Sequence, residues 1–282
     1  MTGFLAELGT KLAERWVARL AVPGALLLAV VATAVVLGHR HALDHRLLAD
    51  AVTTAAAGFN GKAVQAALVA VAVLVGAGAA GLVVSGLGRA VEALWLATRP
   101  EWLWRPLVRL RQRRWHARQA VARRTPTAAA VDRRNRIALA EPCCPTWIGD
   151  RLRAAGTRVF HQYALDVTFS WPRLWLLLPE DTRTELTTAR AALSRAATLT
   201  AWGLLYVAVG AWWWPAALGG TAAAVTGAVQ ARAAAATLAD LLESAFDLHA
   251  AELATAVGVP VTDGTVTPAH GRLVSERFRK GA

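Results

Sequence analysis

Hydrophobic residues are concentrated in three long stretches that contain no charged residue, 20–38, 63–88 and 196–231. A helix needs about 20 apolar residues to cross the core of a bilayer. The first two stretches therefore predict one transmembrane helix each. The third stretch would form a helix of roughly 54 Å at a rise of about 1.5 Å per residue, which is too long for a single crossing.

A tryptophan-rich break divides the third stretch. Its centre reads Trp212-Trp213-Trp214-Pro215; proline disfavours continuation of a helix, and tryptophan prefers the membrane interface. The stretch therefore predicts a tight hairpin of two short spans. The fold class that follows is an all-α membrane protein: two transmembrane helical hairpins, about four spans in total, with a mainly helical cytoplasmic segment between them.

These stretches divide the chain into segments that lie in lipid or in water. Hydrophobic residues recur at helical spacing before the first stretch, which predicts an amphipathic helix at the membrane surface. Because a signal peptide begins with a short basic region instead, we interpret span 1 as a retained anchor. The predicted segments are an interfacial amphipathic helix (1–19), span 1 (20–38), an outer loop (39–62), span 2 (63–88), a basic cytoplasmic segment (89–195), span 3 (196–213), span 4 (216–232), a cytoplasmic amphipathic helix (233–258) and a flexible tail (259–282).

Charge gives this apolar chain an orientation. The chain is 55% hydrophobic and only 18% charged, yet its net charge is +12. Segment 89–195 carries 20 basic residues against 9 acidic ones, whereas the turn at Trp213 carries none. Lysine and arginine accumulate on the cytoplasmic side of membrane proteins. We therefore expect a multi-pass protein of the cell (plasma) membrane whose N- and C-termini are cytoplasmic.

The strongest local feature of charge is residues 105–136, with eleven arginines and the single acid Asp132. Because this segment follows a span directly, anionic lipid is within reach of every arginine. A cytoplasmic protein partner is a second interpretation. Nucleic acid, with Trp115 stacking on a base, is a third and less favoured one. The candidate contact residues are Arg105, Arg109, Arg111, Arg113, Arg114, Arg118, Arg123 and Arg124.

Three patterns predict local structure between and after the spans. Thr146 is placed to cap a helix, and Thr182 with Glu185 has the spacing of a capping box at the start of another. The apolar segment 167–179 contains Trp171, Pro172 and Trp175 and is too short to span; it predicts either a buried strand or a segment that dips into the membrane interface.

The helix predicted at 233–258 has two distinct faces. The residues expected on its apolar face are Leu238, Leu241, Leu242, Ala245 and Leu248, and those on its acidic face are Asp240, Glu243 and Asp247. The acidic face either docks on arginines of this chain or of a second subunit, or is simply solvated.

Small residues recur four apart in two of the spans. They are Ala77, Gly81 and Ser85 in span 2, and Gly219, Ala223 and Gly227 in span 4. Such spacing lets helix backbones approach closely, either within one chain or in a homo-oligomer.

Catalytic and metal-binding patterns are absent or weak. The sequence has no HExxH, Walker, GxSxG or dinucleotide-binding motif. The adjacent Cys143 and Cys144 cannot supply four ligands for zinc, and we read them as reduced structural thiols. We therefore expect no enzymatic activity, no cofactor and no metal site. The weak candidates are His39, His41, His45 and Asp44 in the outer loop for a metal, and His161, Asp166 and Glu180 for catalysis.

Two parts of the chain carry a resemblance to a known family. They are the Pro23-Gly24-Ala25-Leu26 start of span 1 and the region 145–185, which contains Tyr163-Ala164-Leu165-Asp166 and the segment WPRLWLLLP. The chain resembles the uncharacterised multi-span membrane proteins of actinomycetes. Gly149-Asp150 stands where the resemblance implies a Gly-Asn pair. The resemblance implies a multi-span topology and no particular activity.

The sequence thus favours a non-enzymatic membrane component that binds anionic lipid or a protein partner through its basic cytoplasmic segment. The alternative is an oligomeric channel or small transporter. The predicted spans contain no Asp, Glu, Lys, Arg or His, and such residues usually mark proton and ion pathways, which argues against a proton-coupled transporter.

Overall fold

The computed structural model describes residues 22–97, 100–261 and 264–279, and these residues form ten helices and no strand. The prediction of an all-helical chain is confirmed. The interfacial helix predicted at 1–19 lies outside the described residues. The helices are α1 (Val22–Leu37), α2 (His45–Ala57), α3 (Ala63–Leu96), α4 (Glu101–Arg124), α5 (Ala128–Asn135), α6 (Trp147–Tyr163), α7 (Val167–Leu177), α8 (Glu180–Val209), α9 (Trp214–Ala256) and α10 (Pro268–Arg279).

The chain divides into two units, each built from two separate segments. Unit 1 combines Met1–Val91 with Ala196–Ala228, and unit 2 combines Glu92–Arg195 with Val229–Ala282. Unit 1 contains most of the apolar stretches. Unit 2 contains most of the charged residues and a conventional hydrophobic core.

By length and composition, α3 and α8 are the two described helices that are apolar enough to cross a membrane. The most apolar part of α3 has a mean hydropathy of 2.6, and only 22% of that part is buried; the values for α8 are 1.3 and 33%. The helix α1 is also apolar but has only 16 residues. Large apolar side chains on these helices face outward, among them Val35, Val64 and Leu68, which are 77%, 74% and 64% exposed.

The residues of unit 1 pack through glycine. A methyl group on Gly220 of α9 would lie 2.5 Å from the amide nitrogen of Val207 and 2.7 Å from the carbonyl oxygen of Gly203, both in α8. Gly227 lies equally close to Thr200. The two helix backbones are therefore in contact, as small residues allow. Of the small residues predicted to mediate packing, Gly227 is used in this contact, whereas Gly219 faces open space.

The turn between these two helices lies at residues 210–213 and overlaps the tryptophan-rich break that the sequence predicts at Trp212 and Trp213. The turn is bound to the segment that follows α1. The indole nitrogen of Trp213 donates a hydrogen bond to the carbonyl oxygen of Ala42 at 2.9 Å, and a ring nitrogen of His39 lies 2.6 Å from the carbonyl oxygen of Trp212. The indole of Trp213 and the backbone of Trp212 therefore have partners in the protein.

The core of unit 2 is formed by α6, α7, the second half of α9 and α10. Leu174, Phe246 and Val274 are fully buried there, and Trp171 and Trp175 pack against it. The strand considered for 167–179 is therefore wrong, because Val167–Leu177 form the helix α7 in the core of unit 2. Asp166 starts it by accepting a hydrogen bond from the amide of Thr168 at 2.9 Å, as helix-capping carboxylates do.

Three of the predicted segments contain helix that the sequence pattern did not predict. The tail expected to be flexible at 259–282 contains α10, which places Val274 and Phe278 in the core of unit 2. The outer loop at 39–62 contains α2, capped by Asp44. The helix of span 2 continues beyond residue 88 to Leu96. The helices α2 and α10 are amphipathic and short, and α3 continues past the end of its apolar stretch, so hydropathy alone does not place the ends of these helices.

The capping predictions have a mixed outcome. Thr146 caps α6 and accepts a hydrogen bond from the amide of Gly149 at 3.1 Å, as predicted. The capping box at Thr182 and Glu185 is wrong, because α8 already begins at Glu180. Two helices extend beyond the apolar stretches, since α8 runs from Glu180 to Val209 and α9 runs from Trp214 to Ala256 without a break.

Candidate functional site

The helix α4 carries the arginines for which the sequence predicts a contact with lipid or a partner. It begins after Pro100, has Glu101 in its first turn, and ends with Arg123 and Arg124. This charge distribution suits the helix dipole, which favours acids at the start and bases at the end. Seven of the eight predicted contact residues are exposed, namely Arg105, Arg109, Arg113, Arg114, Arg118, Arg123 and Arg124.

Five of these arginines share one side of the helix. At 3.6 residues per turn, Arg105, Arg109, Arg113, Arg123 and Arg124 fall within an arc of roughly 100°. We call this side the arginine face. Such spacing puts like charges next to one another at i and i+4, which destabilises an isolated helix. The arrangement is therefore suited to a polyanionic surface that would neutralise it.

Next to the arginine face, α4 exposes a row of apolar side chains. Leu103, Leu107, Leu110 and Val121 are 48%, 40%, 44% and 47% exposed, and Trp102 is 75% exposed. A helix with exposed apolar side chains beside cationic ones is typical of a segment that lies in a membrane interface. Scattered apolar residues are common on protein surfaces, but here they follow the helix repeat.

Arg111 has a different role from the other predicted contact residues. Its side chain is only 14% exposed and lies on the inner side of α4. The guanidinium donates to a carboxylate oxygen of Asp150 at 2.5 Å, to the carbonyl oxygen of Cys144 at 2.5 Å and to that of Ile137 at 2.6 Å. Arg111 therefore holds the loop before α6 against α4, and its charge is committed within unit 2.

The interpretation of Trp115 as a platform for a nucleic-acid base finds no support in its position. Its ring is partly buried, and its indole nitrogen donates to the carbonyl oxygen of Ala138 at 3.0 Å. On the same side, Gln112 donates to the carbonyl oxygen of Pro142 at 3.0 Å. This side of α4 is therefore occupied by the loop before α6.

That loop contains a second candidate site, formed by Cys143, Cys144 and Asp150. Among the described residues, these three form the group of potential metal-ligand atoms, all within 4.8 Å of one another. The two sulfur atoms are 3.9 Å apart. One oxygen of Asp150 accepts hydrogen bonds from the amide of Cys143 at 2.9 Å and from that of Cys144 at 2.7 Å. We call this group the dithiol loop.

The two thiols differ in exposure and acidity. Cys143 is exposed, whereas Cys144 is 1% exposed. The hydrogen bond with Cys144 lowers the pKa of Cys143 to about 7, despite the opposing effects of burial and of Asp150, and the charge of Arg153 acts in the same direction. The same hydrogen bond, together with burial, raises the pKa of Cys144. The lowered pKa raises the share of Cys143 that is thiolate at neutral pH, and the thiolate is the nucleophilic and metal-binding form.

Cys143 and Arg153 border two cavities. The larger has a volume of about 480 Å³ and is also lined by Glu141, Arg158 and His161. The smaller has a volume of about 180 Å³ and is lined on its other side by α4 residues that include Trp104. The buried indole nitrogen of Trp104 has no hydrogen-bond partner among the described residues. A small molecule in either cavity could therefore reach Cys143.

The acidic face predicted on 233–258 docks inside unit 2. The buried Arg151 of α6 forms ion pairs with Asp240 and with Glu243, the latter at 3.2 Å, and Arg158 pairs with Glu243 at 2.5 Å. The hydroxyl of Tyr163 donates to Asp247 at 2.7 Å, and burial followed by this contact raises the pKa of Tyr163 to about 12.

Of the predicted alternatives for the acidic face, the structure shows docking within the chain. The partners of the acidic residues are arginines of α6, not those of the arginine face of α4. The exposed arginines of α4 therefore do not pair with Asp240 or Glu243.

The other candidate groups of the sequence are not brought together. His161 lines the larger cavity, Asp166 caps α7, and Glu180 starts α8. Asp44 in the outer loop caps α2, and within the described part of the chain the histidines His39, His41 and His45 belong to no group of three potential metal ligands.

Comparisons with protein-family models, with curated proteins and with solved structures find no match for this chain. The resemblance to actinomycete membrane proteins stays a prediction from the sequence.

Proposed function

We propose that the chain is a non-enzymatic, multi-pass component of the plasma membrane that binds anionic lipid through the arginine face of α4. The observation that carries the proposal is the surface of α4, where exposed arginines lie beside exposed leucines at helical spacing. In the sequence, α4 follows the apolar helix α3 within a few residues. A basic amphipathic helix in that place has a bilayer surface within reach.

The membrane part of the proposal rests on the surface of unit 1. Exposed apolar side chains occur along α1, α3 and the adjoining parts of α8 and α9, for example Val35, Val75, Leu204 and Val225. In water such a surface would drive association, whereas hydrocarbon solvates it. Two helical hairpins with about four spans, and both termini in the cytoplasm, account for this surface and for the basic residues of 89–195.

The native cysteines allow this topology to be tested. Cys143 is exposed and is proposed to lie in the cytoplasm, whereas Asn60, exposed between α2 and α3, is proposed to lie outside. A membrane-impermeant maleimide should label the full chain in lysed spheroplasts but not in intact ones. In a Cys143→Ser, Cys144→Ser background, Asn60→Cys should be labelled in intact spheroplasts.

The double serine variant without Asn60→Cys is the control for non-specific labelling, and lysed spheroplasts show that each cysteine can react. Labelling of Cys143 in intact spheroplasts would contradict the proposed orientation. Failure of Asn60→Cys to react before lysis would contradict an outer loop.

The lipid proposal predicts a charge-specific effect. A basic residue near an anionic surface contributes about 1 kcal/mol to binding. The double variant Arg109→Gln, Arg113→Gln should therefore weaken lipid binding by about 2 kcal/mol, which is roughly 30-fold in the affinity of a single lipid site. The full chain would be reconstituted in liposomes of equal phosphatidylglycerol and phosphatidylcholine with identical acyl chains. The chain is then extracted from these liposomes in nanodiscs bounded by an amphipathic polymer, and the lipids of the nanodiscs are identified by mass spectrometry.

We expect the wild-type discs to be enriched in phosphatidylglycerol and the variant discs to lose most of this enrichment. Arg272→Gln with Arg279→Gln is the matched control, because it removes two exposed positive charges from α10. The enrichment should also fall as salt is raised. Equal enrichment in wild type and in the α4 variant would refute lipid binding by the arginine face and would leave a protein partner as the ligand to test.

A further inference from the structure

The dithiol loop has a geometry that its role as a connection between α5 and α6 does not require. Two sulfur atoms lie 3.9 Å apart, one of them exposed at a cavity of about 480 Å³. Both belong to the sequence Pro142-Cys143-Cys144-Pro145, in which each proline restricts the backbone. The thiols are therefore presented side by side on a restrained segment.

Asp150 holds the loop in this conformation. One of its oxygens accepts both cysteine amides, and the other receives Arg111, which also donates to the carbonyl oxygen of Cys144. These contacts engage both oxygens of the carboxylate. Asp150 is thus a positioning residue for the two cysteines and is poorly placed to be a strong ligand itself.

The spacing of the sulfur atoms favours a bridging atom over a direct bond. Neighbouring Cα atoms are about 3.8 Å apart across a trans peptide, which is shorter than the roughly 4.4–6.8 Å usual for disulfides. A direct bond would therefore strain the loop. With a metal–sulfur distance of about 2.3 Å, however, a separation of 3.9 Å corresponds to an angle of about 116° at the bridging atom, close to tetrahedral.

We propose that Cys143 and Cys144 form a two-thiol chelating site for a thiophilic metal or metalloid ion. The neighbouring groups favour soft ions over hard ones, because the one carboxylate is already engaged and Arg111 and Arg153 are cationic. The cavity beside Cys143 supplies the path of access and room for further ligands from solvent. This site is independent of the lipid function proposed above.

Phenylarsine oxide is a suitable probe, because its arsenic binds two neighbouring thiols. Two As–S bonds form, the oxygen leaves as water with the two thiol protons, and no oxidation state changes. The full chain in detergent should gain one phenylarsenic group, as measured by intact mass. Both cysteines should then resist alkylation by N-ethylmaleimide, and prior addition of cadmium should block the reaction.

Cys144→Ser and Cys143→Ser are the matched variants, since each keeps one thiol. Two-point attachment typically exceeds one-point attachment by about 100-fold or more, so each variant should bind the probe at least about 100-fold more weakly. Asp150→Asn keeps an oxygen that accepts the two amides and should retain most of the affinity. Asp150→Ala should lose at least about tenfold if the carboxylate positions the thiols, because the orienting contacts of a site typically contribute that much.

Two results would overturn the proposal. One is binding to Cys144→Ser as tight as to the wild type, which would make Cys143 a single reactive thiol. The other is alkylation of the exposed Cys143 of the wild type at the same rate with and without the probe. Because Cys144→Ser replaces one atom of a small side chain, circular dichroism of this variant separates a loss of chelation from a loss of folding.

Discussion

Replacing Phe246 with alanine should lower the free energy of unfolding of unit 2 by about 3–5 kcal/mol, the usual cost of removing a buried phenylalanine. The side chain is completely buried in the core of unit 2. Its ring centroid lies 6.1 Å from that of Trp171, within the range of favourable aromatic pairs. Urea titration of the full chain in detergent, followed by tryptophan fluorescence, would measure the loss because Trp171 reports on this core.

Leu248, two residues further along α9, provides the matched control. The sequence pattern places it on the apolar face, yet its side chain is 74% exposed. Leu248→Ala should therefore change the free energy of unfolding by no more than about 0.5 kcal/mol. Similar losses for the two variants would mean that the buried side of α9 is misassigned.

The second large effect is expected from Gly220→Ala in the contact between α8 and α9. The added methyl group would lie 2.5 Å from the amide nitrogen of Val207, so the two helix backbones must separate. Overpacking of this kind costs about 1–3 kcal/mol or more. Thermal unfolding of the detergent-solubilised chain should show a lower midpoint temperature.

The adjacent Gly219 gives an unusually close control, because a methyl group there meets nothing within 4 Å. Gly219→Ala should leave the midpoint unchanged or raise it, since alanine favours a helix interior over glycine by up to about 1 kcal/mol. If Gly219→Ala instead destabilises the chain and Gly220→Ala does not, the small residues of α9 pack against another surface, such as a second copy of the chain.

The sequence was informative where a single physical rule dominates. Long apolar stretches follow from hydropathy, and the break before Pro215 follows from the geometry of proline. The cap at Thr146 follows from local hydrogen bonding. These features need no knowledge of which segments meet in space.

The remaining features depend on tertiary contacts. Arg111 looks like its seven neighbours in the sequence, and only its contact with Asp150 separates it from them. No sequence pattern singles out Asp150 as the partner of Arg111. The order of α10 likewise depends on a core to which it contributes Val274 and Phe278, and short amphipathic segments carry no such information in isolation.

The buried side of α9 illustrates the same limit at the level of one helix. Repeating the apolar spacing of Leu242 and Ala245 predicts that Leu248 lies on the buried side. The side chains that are buried instead are those of Phe246, Ala250 and Leu253. Both rows are compatible with a helical repeat, which drifts around the helix over several turns. The choice between them is made by α6, α7 and α10, which cover one side of α9.

The construction of unit 2 from two chain segments has a consequence during synthesis. The ribosome releases α6 and α7 before α9 and α10 have been made. Apolar side chains such as Val159 and Leu174 therefore stay exposed until Phe246 and Val274 are available to cover them. Nascent chains with uncovered apolar side chains are prone to aggregate. Fast synthesis of the intervening segment would therefore shorten the time for which the apolar side chains of α6 and α7 are uncovered.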